Sequence, residues 1–591
     1  MNNTVLSLLR AGALNEAEKE YIRLGLDSVV DDEDTIALGG RILKSRALEK
    51  SGMVRRDLAF QSAQKYNQAF AATGGTYSGI NTAAMYVVAG DLPAAQMIAS
   101  TVLDKTRTYS PKPGEDAYYH MATVAEAHFI LGDLKMAKAA LLDAVLLDPH
   151  NYAAHATTVR QFEMLTLAVP DLCANEHVDM TNAFDWLDPY RPPKALHFAG
   201  HMFGAGDGSV GDHRYIENAV DDFLHESKIG FAFGCLAAGS DILIAEKILA
   251  SGAELHVALP CPNAFFIEAS VIEFGDEWVE RFYACLSAAK SVRYTSYDDE
   301  LPDDLGLSFA SEVAMGLAVL QSERLATKVK QLLIWDGKEA GANLAGTARD
   351  AEMWRHSADD QHVIDFPMQR KRPSVLNKQV ENICSEKTGL ENKSPDNTGS
   401  DNIEGLKHAR SMRAMLFTDV RGFSRLMDSE IPIFMDHVLR RLALVCREAG
   451  DGISFLNTWG DGLFLTFETV ELAANTAIRL QEAFQKIDFN AIGLPERLAL
   501  RIGGHYGPVH EMEDPFSGQK GVQGAQVTMA AKIEPVTAPG SIYVSEPFAC
   551  ALAVQASGEY IAEQMSHTIR LHKSAQEVPV FNLRAKGGVA A

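Results

Sequence analysis

Between Ala414 and Phe467 two carboxylates stand at the ends of apolar runs, and no other stretch leaves the chain so few folds. Ala414-Met415-Leu416-Phe417-Thr418 has enough large side chains for a buried strand, and it stops at Asp419. Val420-Arg421-Gly422-Phe423-Ser424 then turns toward a helical run, with backbone N–H groups placed to face an anion. Farther on, Ile453–Trp459 and Leu463–Phe467 flank Gly460-Asp461-Gly462, a corner that predicts a β-hairpin. If the two strand ends lie side by side, Asp419 and Asp461 cradle hard divalent cations beside a backbone nest for phosphates, as magnesium is commonly held. Each Asp also has an ordinary alternative, Asp419 as a helix cap and Asp461 as a turn residue.

At 591 residues the chain exceeds a single core, and about three or four domains are expected. Its apolar fraction of 47% and charged fraction of 22% are those of an ordinary globular protein. A net charge of −24 excludes a nucleic-acid face, which needs basic residues, but suits a nucleotide whose triphosphate is screened by metal. The seven cysteines lack CxxC or zinc spacing, which predicts reduced thiols and a cytoplasmic setting. No apolar run reads as long enough to span a membrane, and the first residues lack a signal peptide's basic start and apolar core, so no membrane partner is expected.

Residues 1–172 are helical in pattern. Segments 79–104 and 118–145 echo one another: small and apolar residues at helical spacing, a Gly-Asp break, then a second amphipathic helix. Residues 9–24 are a weaker copy. Such helix pairs stack into a solenoid resembling a tetratricopeptide array, a surface for a protein partner, with an ordinary bundle as the alternative.

From about residue 190 to 366 strands alternate with helices, which predicts a parallel sheet of Rossmann type. Glycine-rich turns fall at strand ends, Gly200 to Gly206 and Gly234 to Asp241, where such sheets bind ligands. Phe233–Pro260 is similar to nucleotide-ligand sensing Rossmann families related to cytokinin-activating phosphoribohydrolases and DNA-processing proteins. That resemblance makes Gly200, Gly204, Gly239, Ser240 and Asp241 candidates for a nucleotide-derived ligand. The alternative is that these turns only let helices pack on the sheet. Asp207, Asp212 and His213 form a loop cluster with no evident role. Residues 367–411 are polar and poor in apolar periodicity, as in a flexible tether.

Four motifs in order carry a more specific resemblance: FTDVRGFS, NTWGDG, LRIGGHYGPV and GAQVTMAAKIEPVTAPGSIYVS. Residues 412–585 resemble the catalytic domain of class III nucleotide cyclases, the adenylate and guanylate cyclase family. The resemblance implies an α+β ferredoxin-like domain acting as a homodimer with active sites at its interface, on a nucleoside triphosphate. It implies two Mg²⁺ or Mn²⁺ ions per site on Asp419, Asp461 and the Val420 carbonyl. Gly422, Phe423 and Ser424 then offer N–H groups to the phosphates, with Arg501 and Lys573 as phosphate-binding cations.

The departures from the family bear on specificity. The base-reading position usually held by Lys or Glu is Asn457, and its usual Asp or Cys partner is Gly521. The transition-state Asn and Arg are replaced by Thr528 and Lys532. Lys532 keeps the charge but loses the bidentate fork. Phe455, Gln519 or Gln523 are alternative base contacts. The leading expectation is a nucleotide cyclase regulated by its N-terminal modules. The alternatives are a pyrimidine nucleotide cyclase of bacterial phage defence and an inactive cyclase fold serving as a scaffold.

Overall fold

The computed structural model describes residues 2–10, 14–169, 183–204, 206–339, 344–355, 360–368, 373, 410–515, 518, 520–556, 558–570 and 577–586. They fall into two units. The first is built mainly from residues up to Pro192, and the second runs from Pro193 to Ala585 apart from Glu323–Thr327. Almost all of the expected tether lies outside the described residues.

The first unit is helical, and its repeated Gly-Asp breaks have one mechanism. Helices Thr76–Ala89 and Leu92–Thr106 meet at Gly90-Asp91, and Glu115–Ile130 and Leu134–Leu147 meet at Gly132-Asp133. Gly90 (φ 91°) and Gly132 (φ 87°) take the left-handed conformation that ends a helix and that glycine adopts without strain. The Asp then caps the next helix: Asp91 Oδ1 accepts from Ala94 N at 3.1 Å and Asp133 Oδ1 from Met136 N at 3.0 Å. Small residues such as Ala83, Ala95, Ala99, Ala125 and Ala137 are fully buried between these helices, so their axes pack closely.

The second unit begins with a six-stranded sheet: β1 (Lys194–Gly200), β2 (Ile229–Gly234), β3 (Glu254–Leu259), β4 (Ser291–Tyr294), β5 (Val329–Trp335) and β6 (Gln361–Asp365). Every pairing is parallel, in the order β4-β3-β2-β1-β5-β6. Strand order reverses between β1 and β5, the switch point at which sheets of this type open a crevice. Alternation along β5 sends Leu332 and Ile334 to one helical layer and Leu333 and Trp335 to the other, so both faces are covered.

The remaining strands are β7 (Arg410–Arg421), β8 (Ile453–Trp459), β9 (Gly462–Phe467), β10 (Ala499–Glu513), β11 (Lys520–Gln523), β12 (Ile542–Ser545), β13 (Tyr560–Arg570) and β14 (Glu577–Ala585). They form a mixed sheet in the order β13-β14-β12-β10-β7-β9-β8, with β11 paired to β10. Helices Arg440–Ala449, Val470–Gln485 and Glu546–Gln555 cover one face with the main core. The helix Ala525–Ile533 covers part of the other through Ala530, packed on Met415, Phe417 and Val509.

One helix corrects an expectation. Asp304–Arg324 has 21 residues and a mean hydropathy of 1.3 in its most apolar window, enough by length and composition to cross a membrane. A helix apolar on all sides is also what a buried helix needs. Met315 and Val319 pack with Trp354 of the first sheet's covering layer, whereas Phe309 and Val313 belong to the core of the second sheet. Gly316 lets the helix lie on Glu546–Gln555: a Cβ there would stand 2.3 Å from Cys550 Cα. Glu312 accepts from Gln555 Nε2 at 2.7 Å, and Arg293 pairs with Glu546 at 3.0 Å. The segments 190–366 and 412–585, which read as separate domains in sequence, are thus joined by this helix, whose Phe309 and Val313 lie in the second sheet's core.

Candidate active site

β7 and β10 run antiparallel with Asp419 opposite Arg501. The hairpin β8–β9 turns at Gly460 (φ 64°), and Asp461 at its tip reaches back to β7, where its Oδ2 accepts from Val420 N at 3.0 Å. The two carboxylates therefore meet. Burial pushes the Asp461 carboxyl above its usual range, and the neighbouring Asp419 charge adds to the rise. Arg501 Nη2 bonds to Asp419 and stands 2.8 Å from Glu534 Oε1. Adjacent oxygen ligands suit a hard divalent cation, so the donor set fits Mg²⁺ or Mn²⁺. Among the described residues, no group of three or more His, Cys, Asp or Glu side chains is arranged to hold a metal ion.

Gly422 (φ 94°) opens a 3₁₀ turn, Phe423–Arg425, directly after β7, which brings Gly422, Phe423 and Ser424 next to the carboxylate pair in the chain. Thr528 and Lys532 lie one turn apart on the helix Ala525–Ile533, Thr528 exposed and Lys532 half-buried. Among the described residues neither bonds to the Asp pair. His505 ties that helix to β10: its ring accepts or donates at Ser545 Oγ (2.7 Å) and at Gln526 Oε1 (2.7 Å). Because Oε1 can only accept, Nε2 carries the proton. Burial holds this imidazole neutral, its pKa pushed down to about 4.

Asn457 is exposed on β8, and its Oδ1 accepts from Thr458 N at 2.9 Å. Gly521 lies on β11 opposite Met512, and Phe455 packs edge-on against Phe464. Gln523 is exposed beside them, whereas Lys573 and Gln519 lie outside the described residues. Glu534 carries no motif of its own in the sequence. Its signal is the Gly503-Gly504 pair on β10, since glycine inside a strand marks a close backbone approach. A Cβ on Gly503 would fall 2.4 Å from Glu534 N.

The glycine-rich turns of the first sheet turn much of their polarity inward. Asp241 accepts from Gly200 N (3.0 Å) and Ala237 N (3.2 Å), and Ser240 Oγ donates to His201 O at 2.7 Å. Cβ atoms on Gly200, Gly204 and Gly239 would crowd Ser240, Phe274 O and Phe203 N. Asp207 accepts from Gly204 N, while Asp212 completes a capping box with Ser209 and His213 bonds to Asp207 O. The packing role of these turns is thus explicit.

Burial raises Asp241 and Asp350 to about 7 each, with the Asp350 charge adding to the rise at Asp241. The folded chain therefore holds protons that the unfolded chain releases near its ordinary value of 3.8, and the resulting stability is lost as pH climbs toward 7. Asp350→Asn keeps an acceptor for Ser311 Oγ (2.8 Å) but cannot ionise. The Tm of this variant relative to wild type should rise between pH 5 and 7 and level above it. The effect of Asp350 alone is on the order of 4 kcal/mol, its rise from 3.8 to about 7 counted at about 1.4 kcal/mol per pKa unit. A Tm difference independent of pH would contradict this.

A strand that carries one carboxylate near its end, met by a second from a hairpin tip, is the arrangement that the cyclase resemblance implies. Residues 408–574 match the family described as adenylate and guanylate cyclase catalytic domain, and residues 1–86 match Tetratricopeptide Repeats-Sensor. The chain carries a class III cyclase catalytic domain in its C-terminal part and a tetratricopeptide-sensor segment at its N-terminal end. Solved structures similar to it include the guanylate cyclase domain of RhGC from Catenaria anguillulae in complex with GTP (16% identity, 30% of this chain and 98% of that one, TM-score 0.26). The adenylyl cyclase CyaB from P. aeruginosa (16%, 30% and 96%, 0.27) and the guanylyl cyclase Cya2 (21%, 30% and 93%, 0.26) are others. No curated protein is a significant match to the chain.

Proposed function

We propose that this protein is a nucleotide cyclase that converts a nucleoside triphosphate to a 3′,5′-cyclic nucleotide and pyrophosphate. The convergence of Asp419 and Asp461 at the end of β7 carries the reading. Mg²⁺ or Mn²⁺ held by these carboxylates and the Val420 carbonyl would activate the ribose 3′-hydroxyl and neutralise the departing pyrophosphate. Arg501 and the N–H groups of Gly422, Phe423 and Ser424 bind the phosphates. Thr528 donates a hydrogen bond and Lys532 a charge to the transition state. Among the described residues neither bonds to the Asp pair within one chain, which is compatible with sites shared between two copies. Leu456 (46% exposed) and Trp459 (50%) on the edge strand β8 support a homodimer through this domain, because large exposed apolar side chains commonly mark contact sites. The helical unit and the first sheet would then regulate the enzyme through a protein partner and a nucleotide-derived ligand.

The purified protein, given ATP, GTP, CTP and UTP in turn with Mn²⁺ or Mg²⁺, should release pyrophosphate and a 3′,5′-cyclic monophosphate. Absence of product from all four would remove the reading. Asn457 offers both a donor and an acceptor, and Gly521 has no side chain. Selectivity between the best two substrates should therefore stay below about a hundredfold, the scale of one imperfect polar contact. A thousandfold preference would instead require a dedicated base pocket.

A further inference from the structure

We infer that Glu534 is a positioning residue that holds the Arg501 guanidinium in place when a cation takes Asp419. This rests on the cyclase reading of the same site. Arg501 is always charged, and in register across β10 and β7 it sits on the very carboxylate that a divalent cation needs. Guanidinium and metal compete for Asp419 because both are positive. The Arg501 side chain is only 22% exposed, so losing Asp419 with no second partner would leave a largely buried charge unpaired, which is costly.

Glu534 supplies that partner. Its Oε1 lies 2.8 Å from Arg501 Nη2, and its side chain is 15% exposed. The next residue also takes part, since Arg501 Nη1 donates to Pro535 O at 3.4 Å. This segment is pinned against the strand by the missing Cβ of Gly503, so the carboxylate hangs from a fixed backbone. Arg501 Nε is buried without a hydrogen-bond partner among the described residues, while Glu534 Oε1 is engaged by its 2.8 Å ion pair with Arg501 Nη2. The pair therefore has unused bonding capacity and can tighten once Asp419 turns to a cation. With Glu534 gone, Asp419 becomes the sole carboxylate on Arg501, and metal must break that bond to bind.

Mn²⁺ binding to the full chain, followed by electron paramagnetic resonance of the free ion, tests this without turnover. Glu534→Gln should weaken Mn²⁺ about tenfold, the scale of one charged hydrogen bond. Arg501→Gln should bind Mn²⁺ more tightly than wild type, and adding Glu534→Gln to it should change nothing. Glu534→Asp, which keeps the charge, should recover part of the loss and guards against a simple folding defect. In steady state Glu534→Gln should raise KM for metal–nucleotide far more than it lowers kcat. Wild-type affinity in Glu534→Gln overturns the inference. So does an equal weakening in the Arg501→Gln background, which would make Glu534 a metal ligand. A wild-type chain that binds no Mn²⁺ removes the cyclase reading itself, a result distinct from both.

Discussion

Asp419→Asn and Asp461→Asn should each lower the proposed cyclic-nucleotide formation by at least about a thousandfold, the scale of several kcal/mol of charge stabilisation at a metal site. The folded state should survive both changes, with Glu534 still pairing with Arg501 in Asp419→Asn. In Asp461→Asn the side-chain amide oxygen can still accept from Val420 N, the bond that holds the hairpin tip against β7. Asp461 is also raised by burial and by its neighbour's charge, so an uncharged side chain relieves a penalty. The Tm of Asp461→Asn should therefore equal or exceed that of wild type at neutral pH while activity vanishes. Turnover within tenfold of wild type in either variant, with Mn²⁺ present, would mean that the carboxylate pair is not the catalytic centre.

Gly316→Leu is expected to have the largest effect on folding. A Cβ at 316 meets Cys550 Cα and Cβ at 2.3 Å and its carbonyl carbon at 2.5 Å, so backbone rather than a movable side-chain tip stands in the way. Overpacking costs typically about 1–3 kcal/mol, and an immovable neighbour puts this site at about 3 kcal/mol or more. Gly316→Ala should show a smaller version of the same loss. Because the helix Asp304–Arg324 serves both sheets of the second unit, a single melting transition that includes the cyclase strands should move to lower temperature. An unchanged Tm in Gly316→Leu, with activity retained, would show that the helix can leave Glu546–Gln555 without consequence.

The carboxylate pair was legible because a hairpin corner and the apolar run before Asp419 are each written in a few consecutive residues, although β7 runs on to Arg421 instead of stopping at Asp419. The helical repeat was legible for the same reason, since Gly90-Asp91 and Gly132-Asp133 end one helix and cap the next within a few positions. Glu534 was not, because its partner Arg501 lies on another element and only their packing through Gly503 joins them. The turns around Gly200 and Gly239 show the opposite difficulty. Glycine, serine and aspartate at a strand end read equally well as a ligand cradle or as close packing, and Asp241 bonds to its own backbone neighbours. Asp304–Arg324 carries no local sign of where its two faces go; only the second sheet explains why both are apolar.

That helix also changes what a break in the chain would mean. The covalent connection between the two sheets runs through residues 369–409, but the physical one runs through Phe309, Val313 and Gly316. A protease cut in the connecting segment would nick the molecule without dividing it, and the two pieces would travel together through a sizing column. A gene truncated to begin at Arg410 would be worse off than a nicked protein. It would present an apolar trough, shaped for a helix that is no longer encoded, to every other copy in solution.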